Sequence, residues 1–177
     1  MLQRDVPISV SEVTDTMMTI KRGLFMRKES FVQPDPQSWL GQFQFSIPIK
    51  VRYCETDLLG HVNNVSYFMY FEQGRIEYFE NLGLTDDLFS EDQVSVVADL
   101  ECQYLAQIYL RDPLKLHIRV AKLGRSSMDI EYALVANDEL KAAGRGAIVL
   151  MDTKSGKSTP IPDSAREVIS SFEKMMG

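Results

Sequence analysis

At 177 residues, 45% of them hydrophobic and 25% charged, the chain is long enough for one domain with a full core and has an ordinary globular composition. Its net charge of −6 and isoelectric point near 5.0 exclude a protein that holds nucleic acid through many phosphate contacts, although a few local Arg and Lys side chains suffice for an anionic ligand. Two cysteines, Cys54 and Cys102, form no CxxC pair. With only two histidines they make a poor zinc set, so neither a disulfide framework nor a metal is expected. No long apolar run opens the sequence, so no signal peptide or membrane span is expected, and the cytoplasm is the expected location.

Residues 1–42 read as an N-terminal extension. Its apolar residues follow no firm period, five basic residues balance five acidic ones, and Pro34 and Pro36 mark its boundary. One short helix between Val13 and Phe25 is the only element expected there. The main domain, 43–177, opens with a strand in which Phe43, Phe45, Ile47, Ile49 and Val51 alternate with polar residues. Pro48 assigns this strand to an edge or a bulge, because it donates no ladder hydrogen bond.

A long helix from about Val65 to Leu82 follows. Val65, Phe68, Met69, Ile76 and Phe79 mark one face, and Tyr67, Tyr70, Phe71 and Tyr78 make much of the rest apolar, which predicts a helix buried on most sides. Asn63 or Asn64 is its N-cap and Gly83 its stop. Four strands come next. Val94, Val96, Ala98, Leu100 and Cys102 form the buried row of the first. Leu114 to Val120 and Met128 to Leu134 alternate in the same way, and Ala142–Met151 is apolar on both faces and central. Gly124-Arg125, Asn137-Asp138 and Ser155-Gly156 suit antiparallel hairpins. A last helix begins near Ser164, where Ser164-x-x-Glu167 after Pro162 reads as a capping box with Val168, Ile169 and Phe172 inward. The order predicts an α+β domain in which a five-stranded antiparallel sheet curls around one long helix, with a C-terminal helix added.

The chemistry concentrates in Arg52–Glu80. Asp57, Gly60, His61, Asn63 and Asn64 cluster in a loop that feeds the N-terminus of the long helix, where backbone N–H groups are unpaired and the helix dipole is positive. Gly60 permits an unusual backbone angle. A carboxylate beside pre-aimed N–H donors is what attack on a carbonyl requires: one group supplies or activates the nucleophile, the other holds the developing oxyanion.

These residues resemble the hotdog-fold thioesterases of the 4-hydroxybenzoyl-CoA thioesterase type. The resemblance is carried by Tyr53, Thr56-Asp57, Gly60-His61-Val62-Asn63-Asn64, Tyr67 and Tyr70-Phe71-Glu72 with Arg75, then by Gly124-Arg125-Ser126-Ser127 and Pro160-Ile161-Pro162. It covers about Phe43 to Ser171 and leaves the extension unexplained. It implies acyl-CoA hydrolysis without a metal or a separate cofactor, coenzyme A being part of the substrate. Asp57 is implied as nucleophile or general base, and backbone N–H groups near Asn64 and Val65 as the polarisers of the thioester carbonyl. Gly60, His61, Val62, Asn63 and Tyr67 are expected to line the site, and Arg125, Ser126 and Ser127 to contact the pantetheine or phosphate end of coenzyme A. A homodimer or homotetramer is implied, with each site in a groove between subunits.

Three other readings compete. An acyl group carried on acyl carrier protein would look the same in the catalytic groove. A non-catalytic acyl-CoA sensor would need a DNA-binding partner domain, for which residues 1–42 are too short and irregular. A hotdog dehydratase would need His61 with a carboxylate acting on the acyl chain. Glu72, two turns into the helix, is expected to be buried and paired with Arg75 three residues on, with a role in the site as the alternative. Cys54 has no His–Cys setting of the kind that makes a nucleophile.

Overall fold

The computed structural model describes residues 31–174. The chain divides into two units, Met1–Gln33 and Pro34–Gly177. The second unit carries every helix and strand of the described residues. The helix expected between Val13 and Phe25 lies outside the described residues.

The second unit runs α1 (Pro36–Leu40), β1 (Phe45–Ile49), α2 (Asn64–Asn81), α3 (Thr85–Leu88), β2 (Gln93–Tyr104), β3 (Leu114–Leu123), β4 (Ser127–Ala136), β5 (Glu139–Asp152) and α4 (Asp163–Phe172). The strands form one antiparallel sheet in the order β1-β3-β4-β5-β2. Pro48 therefore sits on an edge strand, where its missing N–H costs no ladder bond. Asn137 and Asp138 adopt φ values of 53° and 59°, the two-residue turn that joins β4 to β5. No helix among the described residues is long and apolar enough to cross a membrane.

The compact unit takes in residues of the expected extension. Asp35 caps α1 by accepting from the Gln37 and Ser38 amides. Trp39 is buried, donates Nε1 to Glu131 at 2.9 Å, and packs edge-on against Phe43. Arg119 lies over the Phe43 ring and pairs with Glu131. Phe43 thus belongs to the α1 cluster and not to β1.

Helix α2 lies against the inner face of the sheet through Tyr67, Tyr70, Phe71, Gly74, Arg75, Tyr78 and Phe79. Phe71 stacks on Tyr132 of β4 with ring centroids 4.5 Å apart. A side chain at Gly74 would collide with Leu116 and Ile118, and one at Gly144 with the Phe71 ring. The helix and sheet backbones therefore meet where side chains are missing. The expectation of a helix buried on most sides is corrected: Val65, Met69 and Ile76 are exposed, on the stripe that also carries Glu72.

Three further expectations change. A bulge between Val97 and Asp99 inserts one residue into β2, which reverses the side-chain phase. Val94 and Val96, expected inside, stand opposite Met151 and Val149, and Val97 stands opposite the buried Ile148. Helix α4 starts at Asp163 with Pro162 as N-cap and no side-chain cap, so Ser164 lies two residues past the N-cap and builds no capping box. Its buried residues are Ala165 and Ile169, while Val168 is exposed.

Candidate functional site

The loop from Thr56 to Asn63 is closed at its neck by a Thr56–Val62 bridge and held to the segment after β2 by a His61–Tyr109 bridge. Within it Asp57 N donates to His61 O at 2.8 Å and Gly60 N to Asp57 O at 3.1 Å, a turn that needs the φ of +79° at Gly60. The Asp57 carboxylate is exposed, and its two oxygens differ. Oδ1 accepts from the amides of Leu59 at 2.8 Å and His61 at 3.1 Å. Oδ2 has no protein hydrogen bond among the described residues, so the carboxylate is fixed through one oxygen with the other left open to solvent.

Asn63 is the N-cap of α2 and accepts from the Val65 amide at 3.0 Å. That bond corrects the expectation for Val65, whose N–H is occupied. Ser66 N donates to Asn63 O. The Asn64 amide has no partner among the described residues and is the donor left at this helix terminus. The Asn64 carbonyl accepts from Tyr104 Oη at 3.1 Å, which ties the end of β2 to the first residue of the helix.

Tyr67 is buried edge-on to Tyr104. Its hydroxyl is pushed up to about 12, chiefly by burial and further by Cys102, Tyr104 and the nearby charge of Asp57. Burial also raises the Cys102 thiol to about 12, which keeps it protonated and unreactive near neutrality. Val62 is buried and its amide donates to Ile108 O, so its part is to hold the loop down. The His61 ring packs edge-on against Tyr109. Apolar side chains surround the loop on its solvent side: Tyr53, Leu58, Leu59 and Tyr109 are all exposed.

Glu72 and Arg75 do not form the expected pair. Glu72 points outward, while Arg75 is buried and donates Nη1 to Tyr132 Oη at 3.1 Å. Arg75 turns inward to the sheet and Glu72 outward to solvent, so three-residue spacing does not pair them here. The buried carboxylate of this region is Glu55, absent from the expected site. Glu55 Oε2 accepts from Arg52 N at 2.7 Å and Tyr70 Oη at 2.8 Å, and Oε1 from Arg52 Nε at 2.7 Å. Burial pushes its pKa up, but the hydrogen bonds from Arg52 and Tyr70 outweigh this and hold it below the ordinary glutamate value. The Arg52-x-x-Glu55 spacing was the available signal, since it brings opposite charges together within one turn.

Arg125, Ser126 and Ser127 lie in the β3–β4 hairpin, where Gly124 N donates to Ser127 O at 2.7 Å. The Asp57 loop adjoins Ile108 and Tyr109, just before β3 begins, whereas this hairpin follows the end of β3. The strand Leu114–Leu123 spans about 30 Å at ~3.3 Å per residue, so within one chain the two groups occupy opposite ends of the sheet. Arg125 is exposed, and among the described residues its carbonyl, not its guanidinium, is engaged, by Ile161 N and Arg166. Among the described residues no group of three or more His, Cys, Asp or Glu side chains could hold a metal ion.

The family model described as the thioesterase-like superfamily matches residues 51–169. A Bacillus subtilis protein of uncharacterised function, YsmA, is 32% identical over 146 residues, covering 81% of this chain and 97% of its own. The acyl-CoA thioesterase YbgC of Haemophilus influenzae is 27% identical over 133 residues, 74% of this chain and 96% of that protein. A Thermus thermophilus thioesterase solved with coenzyme A and zinc superposes with a TM-score of 0.66 at 34% identity, covering 76% of this chain and 98% of its own.

Proposed function

Because this chain belongs to the thioesterase-like superfamily, we propose that the thioester it hydrolyses is an acyl-CoA and that Asp57 carries the attack. The enzyme is a thioester hydrolase. The observation that carries the finer reading is the asymmetric Asp57 carboxylate, one oxygen held by two amides and the other free, in the loop that ends at the unpaired Asn64 amide. Asp57 Oδ2 attacks the thioester carbon directly or takes a proton from a water that does. The carbonyl oxygen gains the negative charge, and the Asn64 N–H with the positive end of α2 stabilises it. Collapse of the tetrahedral adduct breaks the C–S bond and releases coenzyme A as thiolate, which takes up a proton. Attack by water gives the free acid at once; attack by Asp57 gives an anhydride that water then opens.

The reading includes a homodimer. Among the described residues no strand pairs with the outer edge of β2, which exposes Val94, Val96 and Val97, and α2 exposes Val65, Met69 and Ile76. An apolar edge of this length favours pairing with a second copy. Gln93 of β2 pairs with Asp152, at the hairpin end of the sheet, while Tyr104 lies at the Asp57 end. Antiparallel pairing of two β2 strands across a two-fold axis therefore carries Arg125 of one copy toward Asp57 of the other. That placement brings the Arg125 cation within the shared site for the phosphates of coenzyme A.

The test is hydrolysis by the purified protein of a panel of short, long and aromatic acyl-CoA esters, read by free thiol release. Thiol release that depends on Asp57 supports the reading, and absence of release from every ester rejects the substrate class. Light scattering at micromolar concentration tests the assembly, and a monomer mass rejects the shared site.

A further inference from the structure

We propose that Glu55 is a positioning residue for this reaction, setting the place of Asp57 relative to the Asn64 amide by clamping the start of the loop to the helix it feeds. The proposal rests on the thioesterase reading above. Glu55 is buried, two residues before Asp57, and holds α2 at three points. Its main-chain carbonyl accepts from Asn63 N at 2.8 Å and from Ser66 Oγ at 3.3 Å, which fixes the N-cap and the first turn. Its side chain accepts from Tyr70 Oη at 2.8 Å, which fixes the second turn.

The remaining acceptor capacity of the carboxylate is filled by Arg52. The main-chain amide binds Oε2, and the guanidinium binds Oε1 through Nε at 2.7 Å and Nη2 at 2.5 Å. A carboxylate alone among the side chains offers two oxygens that accept from this many donors at once. A buried group so satisfied is rigid, and its loss leaves several donors without a partner. The loop beyond it has its own closure at Thr56–Val62, so it moves as a body once its anchor moves. Asp57 lies in that body, whereas the Asn64 amide belongs to the helix outside it, so such a movement changes their separation. A displacement on the order of 1 Å between a reacting group and its partner donor is enough to cost about a hundredfold in rate.

The experiment compares the full-length protein with Glu55→Gln, Tyr70→Phe and Asp57→Asn. Each is assayed on the best acyl-CoA of the panel, and amide hydrogen exchange is followed over residues 57–66. For Glu55→Gln the expected result is a fall in kcat of about 10- to 100-fold, with KM changed by less than about threefold. Exchange over 57–66 should be faster than in the unmodified protein. Asp57→Asn should lose activity while its exchange stays close to that of the unmodified protein, which separates loss of the reacting group from loss of its placement. Unchanged kcat with unchanged exchange in folded Glu55→Gln overturns the proposal. So does a rise in KM alone, which would make Glu55 a binding group. If Glu55→Gln does not fold, Tyr70→Phe is judged by the same two readouts, with an expected fall in kcat of about fivefold for one lost hydrogen bond. If no acyl-CoA is hydrolysed by the unmodified protein, the substrate reading fails by itself, and exchange alone decides: faster exchange in the variant retains the clamp and equal exchange removes it.

Discussion

Tyr78, deep on the sheet-facing side of α2, donates its hydroxyl to Glu173 Oε1 at 2.6 Å, and the same oxygen accepts the Val120 amide at 3.0 Å. One carboxylate just past α4 thus joins the C-terminal helix to both the central helix and β3. Burial raises its pKa above the ordinary glutamate value, with the two hydrogen bonds and Arg119 opposing the shift in part. The folded state then binds this proton more tightly than the unfolded state. The stability that the bound proton confers is present below the ordinary glutamate range and is lost as pH rises through the raised value. Glu173→Gln keeps an oxygen acceptor and carries no charge, so its stability relative to the unmodified protein should improve over that interval. Glu173→Ala leaves two donors without an acceptor and should cost about 1–3 kcal/mol. Denaturant titrations from pH 4 to 8 check both, and a pH-independent difference for Glu173→Gln would contradict the assignment.

Glu55 predicts the opposite sign. Its pKa is depressed, so its contribution to stability is present above the ordinary glutamate range and is lost as pH falls through the depressed value. Melting temperatures of the unmodified protein and Glu55→Gln should converge toward acid pH and separate toward neutrality.

Asp57→Asn should lower kcat by roughly 10²- to 10⁴-fold, the range for removing a positioned base. Asn can still accept the Leu59 and His61 amides through its one oxygen, so the loop should hold and the melting temperature should move little. Near-full activity in this variant, measured by thiol release, would remove Asp57 from the reaction.

Arg125→Ala should raise KM more than it lowers kcat, as expected of a group that binds ground and transition states alike. A large fall in kcat at constant KM, seen in a steady-state titration, would place Arg125 among the reacting groups.

Glu72→Gln should change stability by no more than about 0.5 kcal/mol, the usual range for a surface position away from special features. Sequence spacing alone predicts a larger loss through a broken buried pair with Arg75, and urea unfolding distinguishes the two.

What could be read in advance was local or periodic. The strand alternation, the Asn63 cap, the Asn137-Asp138 hairpin and the Asp57–Asn64 cluster each rest on neighbours within a few residues. What escaped depends on long-range partners or on one inserted residue. Glu55 finds Tyr70 fifteen positions later and Arg75 finds Tyr132 fifty-seven positions later, beyond any helical spacing rule. Alternation in β2 was legible, but the bulge before Asp99 moved Val94 and Val96 across the sheet, and a pattern with one period cannot register that step. Helix α2 looked apolar nearly all round because one side meets the sheet while the other keeps Val65, Met69 and Ile76 in solvent.

The glycine contacts of α2 bear on where an acyl group can go. Gly74 abuts Leu116 and Ile118, and the Phe71 ring lies against Gly144 and stacks on its cross-strand neighbour Tyr132. The seam between helix and sheet is thus closed down to backbone thickness at this level, and a hydrocarbon chain has no layer to enter there without prising the two apart. On the acyl-CoA reading proposed above, the fatty portion of the substrate is expected along the outward side of α2, where Val65 and Met69 offer a greasy floor but no roof. Chain-length preference then becomes a property of whatever surface closes over that floor, so exchanging residues inside the domain should alter stability far more than selectivity.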